Sequence, residues 1–265
     1  MVEGQDAFHD PDFSRLYEWS YADYDADIPF WQGVAEQHGD PVLEVACGTG
    51  RVLIPLARDG HEVVGIDSSP AMLEIARQKL AAEPEPVRRR VTLQEADMLT
   101  FDLGRQFPSV LVPNASLFEL EGPYSITRCF RQLYRHTRPG GVAVVDCVAP
   151  RRMADQDVGA GTTVKEGVNP ETGLPTRELN QKLSIDWHSR VAHVEHTYVE
   201  GEGDQERRHV FRRRYRWLTR KEGEELLQHA GFPVVEALGD FEGNPYAPDS
   251  PRLILVARRL ERDFV

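Results

Sequence analysis

The chain has 265 residues, 40% of them hydrophobic, and a formal net charge of −12 at pH 7. This length suits one α/β domain with an insertion, or two small lobes, and we expect one main domain. The negative charge disfavours nucleic acid and anionic lipid as general partners, although a specific RNA-modifying role stays open.

Residues 1–40 mix aromatic and acidic side chains and predict a helical lead-in. Pro29 stands where a helix begins, and Gly39 stands where it ends. Three tyrosines recur in this region at three- to four-residue spacing: Tyr17, Tyr21 and Tyr24. On a helix they share one face, which is either a lid over a ligand or the packed face of an ordinary amphipathic helix.

Residues 41–150 alternate apolar runs with helical patterns. Ser69 and Pro70 occupy N-cap and first-turn positions of one helix, and another helix is predicted near 123–137. A turn is predicted at Pro139, Gly140 and Gly141. The five apolar runs that read as strands are VLEVA, HEVVGID, VTLQEAD, PSVLVPN and GGVAVVDCVAP. Strands that alternate with helices predict a doubly wound α/β fold, a parallel sheet with helices on both faces.

Residues 151–217 change rhythm, because polar and apolar residues alternate there without a long helix. We expect an antiparallel β insertion after the fifth strand. Residues 218–265 return to the core pattern. Thr219 and Glu222 form a capping-box pattern, and Gly231 closes the helix. Two last strands, PVVEALGD and RLILVARR, then complete a mostly parallel sheet of seven strands.

The chain shows no sign of a membrane span or a metal site. No apolar window reaches about eighteen residues, and the first thirty residues are unlike a signal peptide. Cys47, Cys129 and Cys147 lack metal-like spacing, so we expect reduced thiols without disulfides or zinc. These features predict a cytoplasmic protein with no membrane partner.

Residues 41–69, PVLEVACGTGRVLIPLARDGHEVVGIDSS, indicate a ligand site. Gly48 and Gly50 lie in the turn after the first strand, at the edge where open α/β sheets bind ligands, and glycine lets the backbone approach a ligand. Asp67 ends the second strand, where dinucleotide folds place a ribose-binding carboxylate. Leu53 replaces the third glycine of the dinucleotide fingerprint, which favours an adenosine ligand without a pyrophosphate.

Four motifs in order resemble those of the class I S-adenosylmethionine-dependent methyltransferases. VLEVACGTG is similar to their first motif, VVGID to the second, EADM to the third, and PSVLVPNASLFEL occupies the fourth. The resemblance covers roughly residues 20 to 150, with weaker support from LLQHAGF and RLILVARR. It implies a Rossmann-like methyltransferase fold that uses S-adenosylmethionine and releases S-adenosylhomocysteine.

The resemblance also implies cofactor contacts, on the motif positions and on the lead-in. These residues are Tyr21, Glu44, Ala46, Gly48, Gly50, Arg51, Asp67, Ser68, Met72, Ala96, Asp97, Met98, Asn114 and Leu117. Among them, Glu44 would border the methionine half and Asp67 would accept both ribose hydroxyls. Asp97 would take the adenine amino group, and Asn114 would lie under the sulfonium. Ala46 stands where the family usually has glycine.

Each of these positions also has a purely structural interpretation. The two glycines are then turn residues, and Asp67 is a helix cap before Pro70. Asp97 is then a strand-end turn residue, a position where aspartate is common. The ordered motifs favour the ligand-binding interpretation.

Methyl transfer needs alignment and exclusion of water more than a strong acid. A base or polar anchor helps when the acceptor arrives protonated. Glu119 directly follows NASLF within the fourth motif and is one candidate catalytic residue. His196 and Tyr198 are two more, since they share one face of a predicted hairpin, whereas His193 and Glu195 share the other.

The insertion, in related bacterial enzymes of secondary metabolism, forms a roof over the acceptor or a dimer contact. This resemblance implies N- or O-methylation of a small metabolite, with a homodimer as an expected assembly. DPPY and NPPY are absent, which disfavours methylation of flipped-out bases. Two alternatives remain: a cofactor-binding protein without methyl transfer, and an RNA methyltransferase, suggested only by RRHVFRRRYRW. We expect those arginines to be solvated or to face an oligomer.

Overall fold

The computed structural model of the chain describes residues 2–150 and 158–261. The predicted insertion begins at residue 151, and its residues 151–157 lie outside the described part, as do residues 1 and 262–265. The helices are α1 (Pro11–Tyr21), α2 (Ile28–His38), α3 (Leu53–Arg58), α4 (Pro70–Ala81), α5 (Glu85–Arg88), α6 (Pro123–His136) and α7 (Arg220–Ala230). None of these described helices is long and apolar enough to cross a membrane.

The strands fall into two sheets. Their bounds are β1 (Val2–Glu3), β2 (Val42–Val45), β3 (Val63–Asp67), β4 (Val91–Glu95), β5 (Phe107–Val112), β6 (Thr137–Val148), β7 (Gly161–Val168), β8 (Pro175–Asp186), β9 (Val191–Glu200), β10 (Arg207–Arg216), β11 (Val234–Leu238) and β12 (Arg252–Arg258). The core sheet has the order β11-β12-β6-β5-β2-β3-β4, and the insertion sheet has the order β1-β10-β9-β8-β7.

The core sheet is parallel from β4 to β6, and β12 and β11 are added in antiparallel fashion. The prediction of a doubly wound, mostly parallel sheet of seven strands is confirmed. Its two faces carry separate apolar clusters, because parallel strands joined by helical crossovers are covered on both sides. Phe130 of α6 and Leu227 of α7 belong to one cluster, and Trp31 of α2 and Leu56 of α3 belong to the other.

The insertion sheet is antiparallel from β7 to β10, which confirms the predicted β insertion after the fifth core strand. Its edge strand β1 comes from the chain's N-terminal end and pairs in parallel with β10, aligning Val2 with Phe211. This pairing was not predicted, because two residues are too short a run to show a strand period. The N-terminal lead-in is therefore joined to the insertion by backbone pairing.

The turn predicted at Pro139, Gly140 and Gly141 lies inside a long strand as a bulge, with Gly140 at φ 77°. Residues 137–148 make one strand, and its register against β5 shifts between Phe107 and Ser109. A Cβ on Gly141 would lie 2.7 Å from the carbonyl oxygen of Pro108. Glycine is thus required by close backbone approach within an irregular strand pair, where the sequence suggested a separate turn.

The predicted helix caps are present. The Ser69 hydroxyl accepts the backbone N–H of Met72 at the start of α4, and the Thr219 hydroxyl accepts that of Glu222 at the start of α7. Gly231 ends α7 with φ 118°, a conformation that favours glycine. These caps could be predicted from the sequence because each one involves residues that are close together in the chain.

The arginines of β10 differ in exposure: Arg207 and Arg208 are exposed, as expected, whereas two others are buried. Arg213 is only 9% exposed and pairs with Glu119 at 2.5 Å. Arg216 is 8% exposed and pairs with Glu222 at 3.1 Å. The expectation of solvation was wrong for these two arginines only, because the carboxylates that neutralise them come from other elements of the fold, which strand alternation alone does not reveal.

Candidate active site

The glycine elbow, residues 46–50, follows β2 and is held by the carboxylate that ends β3. The backbone N–H of Gly48 donates to Asp67 Oδ2 at 2.8 Å, and the N–H of Ser69 donates to Oδ1 at 2.8 Å. Burial raises the pKa of Asp67, while these backbone donors oppose that rise. The carboxylate thus bridges the tips of two adjacent strands at the ligand-binding edge of the sheet.

Three residues of the elbow have left-handed backbone conformations. Gly48 has φ 53° and Gly50 has φ 79°, values that glycine adopts without strain. Ala46 has φ 58°, at the position where glycine was expected from the resemblance. A left-handed alanine is strained by roughly 1–2 kcal/mol.

We expect Ala46→Gly to stabilise the fold by about 1 kcal/mol, because the relief of strain exceeds the added flexibility of the unfolded chain. Urea unfolding measures this as a higher midpoint with an unchanged slope. Ala71→Gly in the first turn of α4 is the matched control and should destabilise. An unchanged or lower midpoint for Ala46→Gly would contradict the strain at this position.

Glu44 lies under the elbow with an unused hydrogen-bonding atom. Its side chain is buried at 2% exposure, and the backbone N–H of Leu53 donates to it. Its Oε2 atom is buried and has no hydrogen-bond partner among the residues that the structure describes. Burial raises the pKa of Glu44 to about 8. A buried carboxylate oxygen without a donor fits the amino group of a ligand, so this residue suits the methionine end of S-adenosylmethionine.

Arg51 ties the elbow to the junction between α1 and α2. Its guanidinium donates to both carboxylate oxygens of Asp27, at 2.5 and 2.8 Å, and to the carbonyl oxygen of Tyr24 at 3.1 Å. The hydroxyl of Tyr24 accepts from Arg252 at 2.9 Å, and Arg252 also donates to Asp146 at 3.0 Å. Arg51 therefore holds the elbow against the α1–α2 junction through Asp27, and its direct contact with cofactor stays a prediction.

The predicted ribose and adenine residues lie at the tips of β3 and β4. The N–H of Ala96 donates to the backbone carbonyl of Asp67 at 2.9 Å, which places the start of the next loop beside that residue. Asp97 is exposed, and its Oδ1 accepts the N–H of Leu99 at 2.7 Å. Met98 is half-buried against the core. The two carboxylates therefore share one edge of the sheet.

The N-terminal segment closes over this edge. The Ser69 hydroxyl donates to the carbonyl of Phe8, and His9 Nε2 lies 3.1 Å from the carbonyl oxygen of Ser68. Met72 is 1% exposed and packs in a cluster with Phe13 of α1. Segments far apart in the chain thus enclose the ribose side of the predicted site.

Asn114 brings the fourth-motif loop against α1. Its backbone is left-handed with φ 54°, and its side-chain amide donates to the hydroxyl of Tyr17 at 2.6 Å. Tyr17 stacks on Tyr21 with a centroid distance of 4.5 Å. Leu117 is 2% exposed and belongs to the core cluster. The tyrosine face thus contacts the loop predicted under the sulfonium and also packs within α1.

The candidate catalytic residues differ in their surroundings. Glu119 pairs with Arg213, and Tyr198 is 1% exposed within the cluster that contains Met72. His196 is 7% exposed, and its Nε2 lies 2.7 Å from the hydroxyl of Tyr215. Their catalytic roles stay predictions.

The opposite face of β9 borders a different space. His193 is exposed and lines a cavity of about 510 Å³ together with Arg214 and Glu121. Sequence reasoning separated the two faces of β9 correctly, but it missed Arg213 and Tyr215 as neighbours of the loop after β5. Their alternation on β10 was visible, whereas the pairing of β10 with β9 was not.

The similarity of this chain to known proteins extends beyond the four motifs. A family profile described as "Methyltransferase domain" matches residues 42–141. A dTDP-3-amino-3,6-dideoxy-alpha-D-glucopyranose N,N-dimethyltransferase from Streptomyces fradiae is 28% identical over 197 residues, 71% of this chain and 74% of the relative.

Two solved structures are similar over nearly the whole chain. The CcbJ methyltransferase from Streptomyces caelestis is 27% identical, with a TM-score of 0.76 over 89% of this chain and 90% of the other. The sugar N-methyltransferase KedS8 from Streptoalloteichus sp ATCC 53650 is 26% identical, with a TM-score of 0.71 over 93% and 92%. Together with the ordered motifs, these likenesses support a class I S-adenosylmethionine-dependent methyltransferase.

Proposed function

We propose that this methyltransferase acts on an amine nitrogen of a small metabolite, and that an amino sugar is its acceptor. The Streptomyces fradiae relative and KedS8 are by name N-methyltransferases of sugars, and both align with most of this chain. The sequence left both N- and O-methylation open, and the names of these two relatives favour N-methylation. O-methylation is the competing reaction that an experiment must exclude.

The observation that carries the proposal is the way three segments meet above the fourth-motif loop. Asn114 contacts Tyr17 of α1, and Phe118 packs edge-on against Tyr215 of β10 at 5.9 Å between ring centroids. The insertion sheet and α1 therefore cover the carboxyl end of β5 with aromatic and polar side chains. Such walls suit a small polar acceptor, and they exclude water from the reacting atoms.

S-adenosylmethionine supplies an electrophilic methyl group on sulfur when it is bound. The chain's own residues orient the reactants: Glu44 would accept from the amino group, Asp67 would accept the ribose hydroxyls, and Asp97 would accept from the adenine. The loop at Asn114 would then face the acceptor. Catalysis on this arrangement consists mainly of alignment at near-attack distance.

The test is a matched pair of acceptors, nucleotide-linked sugars that differ only in an amine or a hydroxyl at one carbon. We expect mass spectrometry to show added methyl groups on the amine, with equivalent S-adenosylhomocysteine, and none on the hydroxyl analogue. Asp67→Ala is the inactive control. Methylation of the hydroxyl analogue with no reaction at the amine would overturn the proposal.

Binding of S-adenosylmethionine at pH 7 should release roughly half to one proton, because an α-amino group with an ordinary pKa near 7.7–8.0 arrives mostly protonated. Glu44, with a pKa of about 8 in the free protein, is mostly protonated at pH 7. The incoming ammonium favours the carboxylate, so the proton leaves.

Calorimetry in two buffers of different ionisation enthalpy measures this release. Glu44→Gln is the matched variant, and it should bind more weakly with little proton release. Net proton uptake by the wild type, or the same release by Glu44→Gln, would contradict the assignment of Glu44.

Two other partners were considered for the insertion sheet, RNA and a second copy of the chain. Arg213 and Arg216 are buried in ion pairs and so give the RNA alternative no support. A homodimer formed through the insertion stays a prediction, which analytical ultracentrifugation checks.

A further inference from the structure

Three ionisable side chains form a hydrogen-bonded row across the inner face of the insertion sheet. Glu178 lies on β8, His196 on β9 and Tyr215 on β10. His196 Nδ1 is 3.3 Å from Glu178 Oε1, and His196 Nε2 is 2.7 Å from the hydroxyl oxygen of Tyr215. The row is thus carboxylate, imidazole and phenol, linked end to end.

The inner end of the row is fixed and shielded from water. Glu178 is 3% exposed, and its Oε2 accepts the hydroxyl of Ser20 from α1. Burial lowers the pKa of His196, which favours a neutral imidazole at neutral pH. Burial by itself raises the pKa of Glu178, but hydrogen bonds from His196 and Ser20 outweigh it and lower that pKa overall.

These charge states set the direction of the hydrogen bonds. An ionised Glu178 accepts from Nδ1–H of His196, which leaves Nε2 as an acceptor for the hydroxyl of Tyr215. A carboxylate that orients an imidazole in this way is a recurring arrangement for proton removal. The imidazole is therefore ready to receive a proton through Tyr215.

The outer end of the row faces the fourth-motif loop. Tyr215 is partly exposed, whereas the other two members are buried. Its ring packs edge-on against Phe118, which follows Asn114 by four residues in the loop after β5. The phenol is consequently the member of the row that an acceptor at this loop would meet.

We propose that Tyr215, His196 and Glu178 form a proton relay that deprotonates the ammonium of the acceptor. This inference rests on the proposed function, since an amine of ordinary pKa arrives protonated and has no lone pair for attack. The ammonium gives a proton to the phenol oxygen of Tyr215, while the hydroxyl proton of Tyr215 moves to His196 Nε2. Glu178 stabilises the resulting imidazolium. The freed amine attacks the methyl carbon, an N–C bond forms, the C–S bond breaks, and its electron pair remains on sulfur.

Other charged groups around the row affect the protonation of His196, some favouring it and others opposing it. Arg213, whose guanidinium lies 4.8 Å from the ring centroid of Tyr215, disfavours a positive imidazole. Glu119 pairs with that guanidinium and favours the imidazolium, as does Glu178. Tyr21 of α1 also faces Tyr215. Around His196, Arg213 therefore opposes protonation, whereas Glu119 and Glu178 support it.

The test compares Tyr215→Phe with wild type across pH. With an alkylamine acceptor at pH 7, we expect kcat/KM to fall on the order of 100-fold, the usual scale of general-base catalysis. The variant's rate should rise about tenfold per pH unit until the acceptor deprotonates by itself. An aminooxy analogue, whose nitrogen is unprotonated at neutral pH, should react at similar rates with both proteins. Tyr124→Phe, a change at an exposed tyrosine on α6, is the matched control and should behave as wild type.

A second measurement reads the relay without turnover. ¹⁵N NMR should show His196 as the neutral Nδ1–H form at pH 7, with its Nε2 resonance shifted in Tyr215→Phe. Equal kcat/KM for wild type and Tyr215→Phe with the alkylamine at pH 7 would overturn the relay and leave N-methylation standing. A proton on Nε2 of His196 at pH 7 would have the same consequence. Methylation of hydroxyl acceptors alone would instead remove the proposed function, and the relay with it.

Discussion

Asp67→Ala is expected to weaken binding of S-adenosylmethionine on the order of 100- to 1000-fold. The wild-type carboxylate bridges the elbow and the start of α4, through the backbone N–H groups of Gly48 and Ser69. The same oxygens retain lone pairs that can accept the ribose hydroxyls. Alanine removes the ligand contacts and also the clamp that holds the elbow in place.

The magnitude follows from the number of bonds lost. A hydrogen bond to a charged group contributes about 1.5–3 kcal/mol. Two such bonds from the ribose amount to about 3–4 kcal/mol at the low end of that range, and each 1.4 kcal/mol is a factor of ten in affinity. Loosening of the elbow acts in the same direction.

Isothermal calorimetry measures the change, and Asp102→Ala supplies the control. Asp102 also accepts a nearby backbone N–H, that of Gly104, but its side chain is 88% exposed and lies outside the predicted contacts. The control should bind as wild type does. A loss of less than threefold in Asp67→Ala, with the fold intact by circular dichroism, would contradict a ribose-binding role.

The elbow could be predicted because the residues that form it lie close together in the sequence. A strand, two glycines, a helix and a second strand ending in Asp67 occupy fewer than thirty consecutive residues, so their spacing fixes their relation. The structure adds that Ala46 tolerates a left-handed backbone and that Glu44 keeps a buried oxygen to which no residue of the described part donates. Neither property follows from residue type, since each depends on the surrounding backbone.

The insertion was predictable as a class of structure but not as a set of contacts. Alternation placed His196 and Tyr198 on one face of a strand, as the structure shows. The neighbours of His196 depend on the register of β8, β9 and β10, which the sequence does not specify across long connections. Tyr215 and Glu178 were therefore missed as neighbours of His196, although the strands that carry them were predicted.

Arg252→Met is expected to destabilise the fold by about 3–5 kcal/mol, because it leaves a buried carboxylate without its cation. Asp146 of β6 is 0% exposed, and Arg252 of β12 donates to its Oδ2 at 3.0 Å. Methionine keeps much of the side-chain volume while removing the charge. The contact between Arg252 and the hydroxyl of Tyr24 is lost as well, which loosens the α1–α2 junction from the core sheet.

The deficit should depend on pH in a defined direction. Burial raises the pKa of Asp146 to about 6, above an unfolded value near 3.9, although Arg252 opposes that rise. The folded protein thus binds more protons than the unfolded chain between about pH 4 and 6, and this group's contribution to stability falls as pH rises through that window. Without Arg252 the folded pKa moves higher, so the fall continues upward, and the variant's deficit should be larger at pH 8 than at pH 6.

Urea unfolding at both pH values tests this, with two comparison proteins. Adding Asp146→Asn to Arg252→Met should recover part of the loss and remove the pH dependence, because the orphaned charge is gone. Arg89→Met breaks an exposed pair with Glu85, whose members are 76% and 60% exposed, and should change stability by about 0–1 kcal/mol. If Arg252→Met instead resembled the exposed pair at pH 8, the buried pair would contribute no more to stability than a surface contact.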